Sequence, residues 1–201
     1  MALLELLALG APPRCAGCRR RGEPLCGVCR DGLGSARIPV VPGVDHLLVA
    51  WPYEAGARSL VLDLKLRGDR GAAVPLAREL VAEVAARGLA AEVLTWVPGK
   101  PRENRGRGFD HAGVLAAEIG ARLGLPVAPL LTRRGKPLDQ TSLGAAERWA
   151  NLRGAFAAEM SPPRVALVDD LVTTGATAAA CAEALRRAGA GRVEVLAACS
   201  A

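Results

Sequence analysis

Residues 165–177, Val-Ala-Leu-Val-Asp-Asp-Leu-Val-Thr-Thr-Gly-Ala-Thr, constrain the fold more than any other stretch of this 201-residue chain. Their continuous apolar opening reads as a strand buried on both faces. The strand delivers two adjacent carboxylates, Asp169 and Asp170. A turn of hydroxyls and glycine then leads directly into an alanine-rich helix over 176–187. In a sheet built of such units, ligands sit beyond the carboxyl ends of the strands, where this turn lies.

The rest of the chain alternates in the same way. Strands are expected over 46–51, 92–97, 126–131, 164–168 and 192–199. One helix runs through Ala57, Leu60, Val61 and Leu64 and stops at Gly68. A second runs through Ala77, Leu80, Val81 and Val84, and a third through Leu115, Ile119 and Leu123. Residues 99–110 read as a glycine- and arginine-rich loop, and Gly189 as the stop of the helix over 176–187. The pattern predicts an α/β fold, a mostly parallel central sheet with helices on both faces. Residues 132–161 have weak periodicity and are expected to form a long, partly mobile segment of the kind that carries function. No internal repeat is visible.

The turn after the strand is an anion cradle. A helix start presents unpaired N–H groups and the positive end of its dipole. Gly175 lets the backbone approach a ligand, and Thr173, Thr174 and Thr177 add hydroxyl donors. Two carboxylates beside a phosphate would repel it unless they accept hydrogen bonds from hydroxyls or meet a metal ion. A ribose phosphate satisfies that combination and a bare phosphate does not. A capped helix with two ordinary loop acids is the other reading. Neither a P-loop nor a dinucleotide fingerprint is present.

The formal charge of +6 suits a polyanion, either a phosphate-rich metabolite or a nucleic acid, and equally suits plain solubility. Nearly all of the basic side chains are arginine; lysine occurs only at 65, 100 and 136. Aromatic residues make up 3% of the chain, which argues against a stacking platform for single-stranded nucleic acid. Lys100, Arg102, Arg105 and Arg107 crowd the loop after the 92–97 strand. There they could meet a second anionic group or simply face solvent.

Four cysteines form two knuckles, Cys15-x2-Cys18 and Cys26-x2-Cys29, inside a stretch rich in Gly, Pro and Arg. Two knuckles supply the four sulfur ligands of a tetrahedral structural zinc site. Nearby arginines at 14, 19, 20, 21 and 30 would favour the thiolates. Disulfides or free thiols are the alternatives. Cys181 and Cys199 read as packing residues. The composition changes near residue 42, so residues 1–42 are expected to form a helix and a zinc module, and residues 43–201 the α/β domain. The apolar run at the start lacks a basic flank and carries Glu5. It is expected to be a short docking helix rather than a cleaved signal, which predicts a cytoplasmic protein with no membrane insertion.

Residues 168–177 resemble the phosphoribosyl-pyrophosphate signature of the type I phosphoribosyltransferases. The wider set narrows this to the ComF family of competence-associated, phosphoribosyltransferase-like proteins. That set comprises the paired cysteines, Leu64-Lys65-Leu66-Arg67-Gly68, Arg105-Gly-Arg-Gly-Phe109, Gln140, Arg148, Asn151-Leu152, Gly154-Ala-Phe156 and Ala188-Gly189-Ala190. The resemblance implies that Asp169 and Asp170 bind ribose hydroxyls and that Thr173, Thr174, Gly175, Ala176 and Thr177 bind the 5′-phosphate. It implies that Lys100 and Arg102 hold the pyrophosphate, with Mg²⁺ accompanying the ligand. Residues 132–151 would form a hood, with Gln140 and Arg148 as contacts. It further implies a part in natural DNA uptake, near single-stranded DNA and a DNA translocase. The other functions open to the chain are nucleobase salvage and a non-catalytic DNA-binding adaptor. Purine salvage enzymes of the hypoxanthine type carry an acid where this chain has Thr173, which speaks against that substrate class. The family's Asn-Gln after Gly-Phe is replaced here by Asp110-His111. His111, at a helix start, is read as a structural partner, with proton transfer as the other role open to it.

Overall fold

The computed structural model describes residues 12–134, 152 and 154–201. A short helix, α1 (Gly27–Asp31), follows the second cysteine knuckle. Then come β1 (His46–Pro52), α2 (Ala55–Leu62), a π turn over Asp63–Arg67 and a 3-10 turn over Arg70–Ala72. These lead into α3 (Ala73–Arg87), β2 (Val93–Trp96), α4 (Pro101–Arg107) and α5 (His111–Leu123). After β3 (Thr132–Arg133) and β4 (Phe156–Ala157) the chain closes with β5 (Arg164–Val172), α6 (Ala176–Arg187) and β6 (Arg192–Ser200).

Four strands form one sheet in the order β1-β6-β5-β2, and every pairing in it is parallel. Each crossover carries at least one helix, as parallel neighbours require. Val165 and Leu167 face one side of β5 with Val193, Val195 and Ala197 of β6, under α6. Ala166 and Val168 face the other side with Leu196 and Ala198, under α2, α3 and α5. Burial on both faces explains why β5 reads as an unbroken apolar run up to Val168.

The 99–110 segment is not a loop throughout, because α4 occupies its centre. Pro101 sits at the helix start, where its missing N–H costs nothing, and Gly108 ends the helix at φ 77°. Asn104 Nδ2 donates to Asp110 Oδ2 at 2.8 Å, and Asn104 Oδ1 accepts from Arg107 at 3.0 Å. These are side-chain ties that hydrophobic periodicity does not register. The 126–131 stretch is also shorter than a strand. Only Val127 forms a bridge, to Leu94. Pro126 and Pro129 lack the N–H groups a ladder needs.

The cysteine stretch is seated on the α/β core. Cys15 and Leu25 are buried in the same cluster as Ala57 and Leu60 of α2. A Cβ on Gly56 would lie 2.5 Å from Leu25 Cδ1 and 3.0 Å from Gly17 N, so the fit depends on a glycine there. No helix among the described residues is long and apolar enough to cross a membrane.

Candidate functional site

β2 and β5 lie side by side with Trp96 opposite Val168, and Val97 N–H donates to Val168 O at 3.0 Å. Their carboxyl ends therefore open at the same level, and the turns that follow converge there. Between them lies a cavity of about 320 Å³, lined among others by Lys100, Asp169, Thr173, Thr174, Gly175 and Thr177. That size suits a small-molecule ligand.

The far wall is the start of α6. Gly175 adopts φ 76°, which brings the chain into the helix through the left-handed region. A Cβ there would lie 2.6 Å from Val41 Cγ2, so glycine is required by space as well as by φ. Thr174 Oγ1 accepts from Ala176 N–H at 3.4 Å, which orients the hydroxyl in the turn. Ala176 also lines the cavity.

The near wall is the corner after β2. Asp110 caps α5 by accepting from Ala112 N–H at 3.2 Å. Its other oxygen accepts from Gly99 N–H at 2.9 Å. A Cβ on Gly99 would lie 2.6 Å from Asn104 Oδ1. Lys100 is thus held at the cavity by a corner built around Asp110, and its ammonium lies 3.4 Å from Glu103. Arg102 is exposed on the first turn of α4 and does not line the cavity. Arg133 stacks on the Phe156 ring at 4.7 Å and donates from Nε to Pro98 O of this corner at 3.2 Å.

The two adjacent acids part company. Asp169 faces the cavity, whereas Asp170 reaches beneath the sheet end to Lys65 Nζ at 2.9 Å and His111 Nε2 at 3.4 Å. Burial pushes the Asp169 carboxyl well up, and the charge of Asp170 adds to it. Burial also opposes ionisation of Asp170, but the His111 hydrogen bond and the Lys65 charge outweigh it and hold this carboxyl below its ordinary range. Lys65 is itself pulled upward: burial works against its charge, and the attraction of Asp170 prevails.

His111 is therefore a buried partner of Asp170, with Arg107 3.5 Å from its other nitrogen. Lys65 is a neighbour of the site that strand and turn patterns do not single out. Its signal was available, because a chain that uses arginine almost everywhere places two of its three lysines, Lys65 and Lys100, at this end of the sheet. Gln140 and Arg148, the expected hood contacts, lie outside the described residues, as do most of residues 132–151 and the opening helix.

A second site lies in the cysteine knuckles. The sulfurs of Cys15, Cys18, Cys26 and Cys29 all fall within 4.8 Å of one another, with Cys18 and Cys26 3.7 Å apart. Four sulfurs at about 2.3 Å from a tetrahedral zinc would be about 3.8 Å apart, so the cluster can hold that ion. Cys26 N–H donates to Cys15 Sγ at 3.4 Å. A Cβ on Gly17 would lie 2.8 Å from Cys29 Sγ, so the first knuckle needs its glycine. Burial opposes ionisation of Cys15, but backbone N–H groups of Cys26, Cys18 and Gly17 bring its thiol down to about 6. Cys29, hydrogen-bonded to Cys26, Cys15 and Cys18, is pushed up to about 12. A divalent cation would remove that conflict among crowded thiols. Cys181 and Cys199 are buried packing residues.

No protein-family model matches the chain. Among curated proteins it is similar to the DNA utilization protein YhgH of Salmonella typhi, at 31% identity over 199 residues. That alignment covers 92% of this chain and 88% of the relative. Competence protein F of Haemophilus influenzae is 34% identical over 95 residues, which are 44% of this chain and 42% of its own. A solved structure described as the allosteric regulatory enzyme of purine biosynthesis aligns over 69% of this chain and 30% of its own. The identity there is 22% and the TM-score 0.44.

Proposed function

We propose that this chain, which belongs to the ComF family of competence-associated proteins, binds phosphoribosyl pyrophosphate across the carboxyl ends of β2 and β5. The observation that carries the reading is the single cavity on which Asp169, Lys100 and the start of α6 converge. A ligand with an anion at each end and hydroxyls between them matches that order of groups. Asp169 and Asp170 take the ribose hydroxyls. Thr173, Thr174, Gly175, Ala176 and Thr177 take the 5′-phosphate through hydroxyls and helix N–H groups. Lys100 takes the pyrophosphate, with Arg102 reaching it from the rim. Gln140 and Arg148 are the hood contacts in this reading.

Mg²⁺ fits the site only as a companion of the ligand. Among the described residues the four cysteines are the only group of three or more metal-ligating side chains close enough to share an ion. Mg²⁺ binds through one or two carboxylates plus substrate phosphates, and Asp169 is the carboxylate that faces the cavity. When bound, the ion neutralises charge on the pyrophosphate. If the chain is a transferase, a nucleophile displaces pyrophosphate from the anomeric carbon through an oxocarbenium-like state. Lys100 then stabilises the leaving group by charge. The zinc in this reading is structural, with all four positions filled by sulfur.

The names of the relatives support a place in DNA uptake, where single-stranded DNA and a DNA translocase are the partners expected. Titration calorimetry of phosphoribosyl pyrophosphate with Mg²⁺, against a panel of bases, tests the ligand. Saturable binding supports the reading. Turnover with one defined base would make the protein a salvage enzyme. DNA affinity indifferent to phosphoribosyl pyrophosphate, with no binding of that ligand, would replace this reading with the adaptor.

A further inference from the structure

Asp170 has one oxygen engaged on the side away from the cavity. Its Oδ2 meets Lys65 Nζ at 2.9 Å and His111 Nε2 at 3.4 Å, and the Asp170 side chain is 5% exposed. Lys65 comes from 105 residues away in sequence. It sits in the π turn over Asp63–Arg67, which ends at Gly68 with φ 73°. That turn is strapped in place. Arg107 donates to the Lys65 carbonyl at 2.7 Å, and Arg70 stacks on Phe109 at 4.6 Å. Two sequence motifs, Leu64–Gly68 and Arg105–Phe109, thereby meet under the end of β5.

A lysine drawn onto a buried carboxylate gives up hydration, so the arrangement needs the geometry it has. Two neighbouring carboxylates also repel each other and would swing apart if both were loose. Lys65 is not among the residues lining the cavity. Among the described residues its hydrogen-bonded contact with the site is Asp170.

We propose that Lys65 is a positioning residue of the sugar site: with His111 it clamps one oxygen of Asp170 and so fixes that carboxylate beside Asp169 before the ribose hydroxyls arrive. The inference rests on the phosphoribosyl reading above and assigns a residue outside the phosphate-binding turn to the recognition of the sugar. It also gives the Leu64–Gly68 motif a task.

The test is calorimetry on the full chain with three ligands: phosphoribosyl pyrophosphate, ribose 5-phosphate and inorganic pyrophosphate. Lys65→Met should weaken the two sugar ligands roughly ten- to hundredfold, the loss of one charge-assisted interaction. Inorganic pyrophosphate should bind as before. Lys65→Arg should recover part of the loss. In the Asp170→Asn background, Lys65→Met should cost nothing further, because a residue acting through Asp170 has nothing left to act on. Losses that multiply in the double variant, or an equal loss for inorganic pyrophosphate, would overturn the proposal. Should Lys65→Met fail to fold by circular dichroism, Lys65→Gln keeps a donor without the charge, and unchanged sugar affinity in that variant is equally fatal. A parent protein that binds no phosphoribosyl pyrophosphate removes the functional reading and this inference together. A parent that binds while Lys65→Met keeps its affinity removes this inference alone.

Discussion

Asp169→Asn separates a sugar site from a bare anion cradle by the sign of its effect. The asparagine keeps the shape of the side chain and the Oδ1 that accepts from Asp170 N–H at 2.9 Å. It loses the charge that the carboxylate carries above its raised folded-state pKa. Hydrogen bonds to a charged group contribute roughly 1.5–3 kcal/mol, so one lost ribose contact lowers phosphoribosyl pyrophosphate affinity about ten- to hundredfold. Removing a negative charge from the wall of an anion site acts the other way on a ligand without hydroxyls. Inorganic phosphate should therefore bind as well as before or better. Stability supplies a second readout. Burial, then the charge of Asp170, raises the folded-state pKa of Asp169 above the unfolded value of about 3.9. Between those two values the folded state holds the extra proton, so the parent loses stability as pH rises through that window. The asparagine variant lacks this loss. It should match the parent below pH of about 3.9 and exceed it at neutral pH. Calorimetry with both ligands and thermal melts from acid to neutral pH measure the two effects. Unchanged phosphoribosyl pyrophosphate affinity, or an equal loss for both ligands, would refute the reasoning.

Other substitutions probe the remaining walls. Lys100→Ala with Arg102→Ala should weaken phosphoribosyl pyrophosphate by at least about tenfold and ribose 5-phosphate far less, since charge-assisted bonds act on the group they touch; equal losses in calorimetry would undo the assignment. Protein purified without added metal should carry one zinc per chain by elemental analysis. Cys26→Ser should lower that content and raise hydrogen exchange in residues 12–42 more than in the sheet. Gly175→Ala should cost about 1–2 kcal/mol for a left-handed alanine and about 1–3 kcal/mol more for crowding Val41, read by denaturant unfolding. Adding Val41→Ala should relieve the crowding and leave the backbone penalty.

The central unit was legible because its signals are local. An unbroken apolar run announces β5, and the glycine that follows the two threonines marks the start of α6, whose observed limits are Ala176–Arg187. The cysteine knuckles were legible for the same reason, since ligand spacing is itself a local property. The helix α4 was not, because its seven residues include Gly106 and are held by Asn104, Arg107 and Asp110. The expected strand over 126–131 failed at its two prolines. The division between Asp169 and Asp170 could be anticipated only as alternation along a strand. Which acid lines the cavity, and that Lys65 and His111 hold one oxygen of the other, depends on contacts that span the chain.

Gly56 and Gly17 bear on what can be exchanged between proteins of this kind. Leu25 sits in a hollow that exists because position 56 has no side chain, and the backbone of Gly17 presses into the same place. A cysteine stretch cut out at residue 42 and grafted onto another sheet would meet a methyl group or something larger in that hollow. Left behind, the donor helix would present Ala57 and Leu60 to water. Recombination between homologues at the 42–43 junction therefore transmits half of a fitted pair, and a working hybrid has to inherit position 56 from the parent that supplied positions 17 and 25.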